Sequence, residues 1–258
     1  MNLILLQSTD LILAVGLVAI AISLAAWQGL GLVAPILLAS GRALLQLLIL
    51  GYALALVFTW KNPWVVLGAV VLMVTIAAIS ARNRISKTLP SLMPIVWMAL
   101  FISTAATVGY VNLLVIRPQL WYDPQYVVPL VGLGLGSAMN GAVLAGERFV
   151  RTLRSSRNDI ETHLCLGATP KQAIAAYRVD AVKSGVVPTI NSMMVIGIVQ
   201  LPTWMGGQLL SGVQPLEAAS YQILLMFMLT VATLLATLLV IEGLARQFFT
   251  SAAQLKEL

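Results

Sequence analysis

His163 and Cys165 stand two residues apart, and an imidazole and a thiolate at that spacing are the donors best placed in this chain to share a soft metal. No third ligand accompanies them. The sequence holds one histidine and one cysteine, so the plainer reading is a helix-surface histidine beside a small buried thiol. A single cysteine also excludes an intrachain disulfide or a thiolate cluster built from this chain alone. Intramembrane proteolysis would need HExxH, or a paired serine and lysine or two aspartates at membrane depth, and the acidic residues here fall at the ends of apolar runs or in loops. No GxxxxGK[ST] loop occurs, so the chain lacks the nest of backbone amides and the lysine that cradle ATP phosphates. If ATP drives this protein, it binds to another subunit, and no cofactor is expected in this one.

These residues belong to Glu147 to Gly185, the one long charged stretch of a chain in which 60% of residues are hydrophobic and 9% charged. Soluble domains carry about 25% charged residues. With a mean hydropathy of +0.96, the composition is that of a polytopic membrane protein. The apolar runs are long and rich in leucine and alanine, without the ten-residue alternation of an outer-membrane barrel, so the expected class is an all-α transmembrane bundle. Spans of roughly 20 residues cross a hydrocarbon core of about 30 Å. Seven fit: Leu11 to Ala26, Ala43 to Thr59, Pro63 to Ser80, Ser91 to Ile116, Tyr126 to Gly146, Val186 to Gln208 and Leu216 to Leu244. They leave no room for a soluble catalytic domain. Between the first two, Trp27 to Gly41 is broken by Gly29, Gly31 and Pro35 and is expected to form an interfacial elbow helix, with an eighth span as the competing reading. Asn2 to Ala26 lacks the charged start and cleavage site of a secretory signal and is expected to be retained.

Lysine and arginine set the orientation, because short cytoplasmic loops keep positive charge. An N-out, C-in arrangement puts Arg42, Arg82, Arg84, Lys87, Arg148, Arg151, Arg154, Arg157, Lys171, Arg178, Lys183, Arg246 and Lys256 inside, and leaves only Lys61 and Arg117 outside. The net charge of +6 is therefore topological and does not imply nucleic acid. Trp60, Trp64, Trp121, Tyr122 and Trp204 fall near the predicted boundaries, where aromatic side chains anchor to the interface. Met205-Gly206-Gly207-Gln208 looks like the signature loop of a transporter ATPase, but it sits at the outer end of the sixth span and faces the wrong compartment.

The charged stretch reads as a helical continuation of the fifth span followed by a helix, a glycine turn and a helix. Arg151 and Arg154 interleave with Phe149, Val150 and Leu153. Asp159 and Glu161 then open a short helix ending near Leu166, where Gly167 can take the left-handed conformation. Thr169 can cap the next helix, with Pro170 in its first turn, where a missing amide hydrogen does no harm, and that helix carries Ala173, Ile174, Ala176 and Tyr177 on toward Asp180. A rigid cytosolic knob of this kind suits docking to a soluble partner.

Glu161-Thr162-His163, with Gly167 following, resembles the EAA loop of bacterial ABC permeases, although threonine and histidine replace its two alanines and its later isoleucine-leucine-proline part is absent. The longer string Leu166-Gly167-Ala168-Thr169-Pro170, Pro188-Thr189-Ile190-Asn191-Ser192-Met193, Leu201-Pro202, Gly207-Gln208, Pro215 and Tyr221-Gln222-Ile223 resembles the FetB-type permeases. This group includes the plant aluminium-tolerance permeases. The resemblance spans Glu147 to Ile223, and the N-terminal half matches mainly by hydropathy. It implies one transmembrane permease domain over residues 1–258, with 147–185 as its cytosolic coupling segment, in a multi-pass protein of the inner or plasma membrane. It further implies a homodimer served by two copies of a separate cytosolic ATP-binding subunit, exporting iron or another metal. The expected coupling residues are Arg154, Arg157, Glu161, His163, Leu166, Gly167, Ala168, Thr169 and Pro170.

Polar side chains inside spans mark either a pathway or a helix contact. Asn140 follows Gly132 and Gly136 on one face of the fifth span; Asn191, Met193, Met194 and Gln200 occupy the sixth; Thr230, Thr233 and Thr237 line the seventh. Asn140, Asn191, Met193, Met194 and Gln200 are the pathway candidates, with interhelical hydrogen bonding and gap filling as the alternatives. Threonines can satisfy themselves on their own backbone. Glu242, near the cytosolic end of the last span, reads as interfacial. Metal-contacting residues stay unassigned. Two rivals remain open: a permease whose ATPase serves something other than export, and a stand-alone channel or secondary carrier. The second rival expects carboxylates at the midplane, and the predicted spans carry none.

Overall fold

The computed structural model of the protein describes residues 8–60, 62–86, 89, 91–250 and 254–256. Lys61, Lys87 and residues 2–7 of the stretch expected to be retained lie outside them. Ten α-helices run in chain order: α1 Ser8–Trp27, α2 Val33–Trp60, α3 Pro63–Ile85, α4 Leu92–Tyr110, α5 Pro124–Ser155, α6 Arg157–Cys165, α7 Pro170–Ala173, α8 Ala175–Val195, α9 Thr203–Leu210 and α10 Pro215–Gln247. A π-helical turn, Val111–Ile116, prolongs α4. Among the described residues there is no β-strand beyond two isolated bridges. Among the described residues five helices are long and apolar enough to cross a membrane: Val33–Trp60, Pro63–Ile85, Leu92–Ile116, Pro124–Ser155 and Pro215–Gln247.

Proline and the residue before it set several of the starts. Asn62 caps α3 by accepting from the Trp64 amide, Asp123 caps α5 by accepting from the Gln125 amide, and α3, α5 and α10 each carry proline at the start of the first turn. At that position the absent N–H is one that no helix would have used.

The chain divides into two compact units. One contains α1 and α2, which pack on each other, together with residues 210–212. Trp27 to Gly41 does not form the separate elbow helix that the sequence suggests. Gly29 and Gly31, with φ of +62° and +67°, turn the chain between the helices, and α2 then runs unbroken from Val33 through Arg42. Pro35 fails to interrupt it because it is the third residue of the helix, in the turn whose amides have no intrahelical acceptor. No residue of α2 is buried.

The second unit is organised around α5, which packs against α3, α4, α8 and α10. Its core is rich in small residues: Ala78, Ala81, Ala138, Ala142, Ala145, Ala181, Ala232 and Ala236 are fully buried. In lipid, apolar surface gives helices little reason to associate, so close approach of backbones through small residues supplies the packing. The tightest example is the crossing of α5 and α8, where a Cβ placed on Gly185 would lie 2.5 Å from the Gly141 carbonyl oxygen. Ser137 and Thr233 join hydroxyls at 2.8 Å beside this crossing.

The sixth predicted span is corrected at both ends. It reaches back to Ala175, and it stops at Val195 rather than Gln208. Gly197, at φ +78°, closes a tight turn by donating its N–H to the Gln200 carbonyl at 3.0 Å, and Pro202 precedes the separate helix α9. Pro188 lies inside α8 without ending it.

Candidate coupling surface and pathway

Beyond Gly146, α5 continues for more than two turns with two distinct sides. Phe149, Val150 and Leu153 are buried, and Phe149 meets Phe248 edge to face with centroids 6.0 Å apart, which fixes the extension to the end of α10. Arg148, Arg151 and Arg154 are exposed. Arg148 donates Nε–H to Asp180 Oδ2 at 2.8 Å, joining α5 to α8.

The backbone bends at Ser156, and α6 follows at once, held down by Ile160, which is fully buried. Arg157 and Glu161 pair along α6 at 2.7 Å, one turn apart. The helix ends as its sequence suggests. Gly167 adopts φ +91°, its N–H reaches the Leu164 carbonyl, and the Ala168 N–H reaches the His163 carbonyl, each at 3.0 Å. Thr169 then starts α7 with a reciprocal cap: its hydroxyl accepts from the Gln172 amide, and the Gln172 side-chain carbonyl accepts from the Thr169 amide at 2.9 Å. Ala173 and Ile174 are buried and tie this single turn to the body, and α8 departs immediately.

The result is a knob anchored at Ile160 and Ile174 and open between them. Thr162, His163, Cys165, Leu166, Gly167 and Thr169 are exposed, while Glu161, Ala168 and Pro170 are half-buried. Leu166 is 80% exposed, a large apolar side chain presented at a turn. The Cys165 thiol is exposed rather than buried, because it lies on the outward side of a two-and-a-half-turn helix whose inward side is taken by Ile160 and Leu164. Among the described residues, no three His, Cys, Asp or Glu side chains converge on a metal site.

The pathway candidates separate. Asn140, Asn191, Met194 and Gln200 are exposed, and Gln200 lies in the turn after α8 rather than within a span. Met193 is half-buried against α10, with its sulfur accepting from the Thr230 hydroxyl at 3.0 Å. Thr230, Thr233 and Thr237 each donate to the carbonyl four residues back, so they are satisfied within α10. Two contacts escape the sequence reading: Arg148 with Asp180, and Arg178 with Glu242 at 2.5 Å. Both cross between helices whose mutual register no local pattern reveals.

A family model described as Uncharacterised protein family (UPF0014) matches residues 8–249, and the chain belongs to that family. Its relatives are membrane proteins and permeases. The chain is 48% identical to the UPF0014 membrane protein slr1647 of Synechocystis over 93% of each. It is 31% identical to the probable iron export permease protein FetB of Escherichia coli, covering 97% of this chain and 95% of that one, and 29% identical to Protein ALUMINUM SENSITIVE 3 of Arabidopsis thaliana, covering 94% and 88%. The likeness to FetB-type permeases, legible in the C-terminal half, thus extends over nearly the whole chain. With five long apolar helices and membrane-protein relatives, this is a multi-pass membrane protein. No solved structure matches it.

Proposed function

We propose that the chain is the permease subunit of an ABC transporter, a single transmembrane domain acting as a homodimer with two copies of a cytosolic ATP-binding subunit and exporting a metal ion such as iron. ATP is bound and hydrolysed on the partner. The chain resides in the inner or plasma membrane with its N-terminus out and its C-terminus in. Seven spans are the five long apolar helices with α1 and α8.

The observation that carries this reading is the exposed knob at Arg157 to Ala173, set directly on α5 and α8 and ending in an exposed leucine and a left-handed glycine. Closure of the ATPases would push on Arg154, Arg157, Glu161, His163 and the Leu166 to Pro170 turn, and the continuous helices would tilt to alternate access. Similarity to a probable iron export permease supports the cargo class. Asn140, Asn191, Met194 and Gln200 are exposed in the single chain. Asn140 and Asn191 lie within α5 and α8, and polar side chains at bilayer depth are costly against lipid, which favours a second copy enclosing them, with Met193 and Met194, as a pathway that Gln200 borders from the turn after α8.

Co-purification with the ATP-binding subunit is the test. Gly167→Val introduces a β-branched residue at φ +91°, at a local cost of roughly 1–2 kcal/mol, and is expected to abolish association while the membrane-embedded body still folds. Unchanged association and ATP hydrolysis would remove the knob from the docking surface. Metal transport by the purified chain without any ATPase would identify a stand-alone carrier instead.

A further inference from the structure

The knob is joined by the chain only to α5, through Ser156, and to α8, through Ile174. The chain reaches α10 from the knob only through the whole of α8 and then α9, yet α10 packs on α4, α5 and α8 and must move if the bundle rearranges. A polar bridge lies where that connection is needed. Arg178, in the first turn of α8, places Nη2 2.5 Å from Glu242 Oε2 on α10, with both side chains 31% exposed. The other oxygen of Glu242 is 3.4 Å from Arg246 Nε, one turn further along α10. Asp180, two residues beyond Arg178, pairs instead with Arg148 on α5. The start of α8 is therefore bound on one side to α5 and on the other to α10.

Resting on the reading above, we propose that Glu242 is a positioning residue for energy coupling: the Arg178–Glu242–Arg246 bridge is the strut that makes α10 follow the knob. A guanidinium pinned by a carboxylate fixes one register of α8 against α10, since a slide of one turn, about 5.4 Å, breaks the contact. Arg246, exposed and 3.4 Å away, adds only a weaker contact to the other carboxylate oxygen.

The test reads α10 motion directly, so it does not depend on the cargo. An environment-sensitive fluorophore is placed on Glu217→Cys, exposed in the first turn of α10, in a Cys165→Ser background. The full chain is reconstituted in vesicles with its ATP-binding subunit, and the signal between the nucleotide-free and the ADP-vanadate-trapped states is recorded. Glu242→Gln and Arg178→Met are each expected to cut this signal at least about fivefold, the low end of energetic coupling between sites, while ATPase association persists. Arg178→Lys retains most of the signal, and the double variant is no worse than either single one. An undiminished signal in Glu242→Gln with the ATPase still bound overturns the strut alone. Failure of the unsubstituted reference to bind the ATPase overturns the functional reading and the strut with it.

Discussion

Helices α2 and α10 have mean hydropathies of 2.0 and 2.6 over their most apolar windows, and they are used in opposite ways. None of the α2 window is buried, whereas 44% of the α10 window is. The difference shows in which side chains each helix buries. Along α2, Leu47, Leu48 and Ile49 stand exposed, as lipid-facing side chains do. Along α10 the buried side mixes large residues, among them Leu225, Met228, Val240, Ile241 and Leu244, with Ala232, Thr233, Ala236 and Thr237, and the small ones lie where α5 approaches with Gly141, Ala138 and Ala142. Hydropathy states that a helix can live in a membrane; where another helix lies against it, small residues let the two backbones approach closely.

The comparison is broken or sharpened by paired substitutions. The largest effect is expected at the α5–α8 crossing, where Gly185→Leu drives a side chain into the Gly141 carbonyl and folded protein is lost, measured by monodispersity in detergent. Gly51→Leu in α2, where an added Cβ meets nothing within 4 Å, leaves the melting temperature within about 2 °C. Equal outcomes would mean that α2 packs as tightly as α5. Next is Phe149→Ala, which empties a fully buried site against Phe248 and costs about 3–5 kcal/mol. Leu47→Ala, at a site 66% exposed, stays within about 0.5 kcal/mol in thermal unfolding. The smallest is Thr169→Ala, which removes one half of the α7 cap. About 1 kcal/mol of local stability is lost there, seen as faster hydrogen exchange at the Gln172 amide with little change in global melting.

Much of this architecture was legible because local rules decide it. Pro63 and Pro215 mark two helix starts that the sequence reading placed within a residue, and the helix, glycine turn and capped turn around Gly167 follow from residue types alone. The same rules misled at Pro35, which breaks a helix only beyond its first turn, and at Gln208, where an apolar run hid the Gly197 turn. The ion pairs of Arg148 and Arg178 could not be read, since they depend on which helices become neighbours. The continuity of the knob with α8 was missed for another reason. The helix after Pro170 is expected to end near Asp180 and a separate span to begin at Val186, yet Arg178, Asp180 and Lys183 are the polar end of one helix that enters the apolar layer further on.

The crossing at Gly141 and Gly185 has a mechanical consequence. Gly185 divides α8 into two arms of ten residues each, Ala175 to Ser184 and Val186 to Val195, or about 15 Å apiece. A helix that pivots at its middle has unit leverage for as far as it moves as one piece. Any rocking of α8 about that fulcrum would carry a displacement at the knob, undiminished and reversed in direction, to the end of the helix that bears Asn191 and Met194.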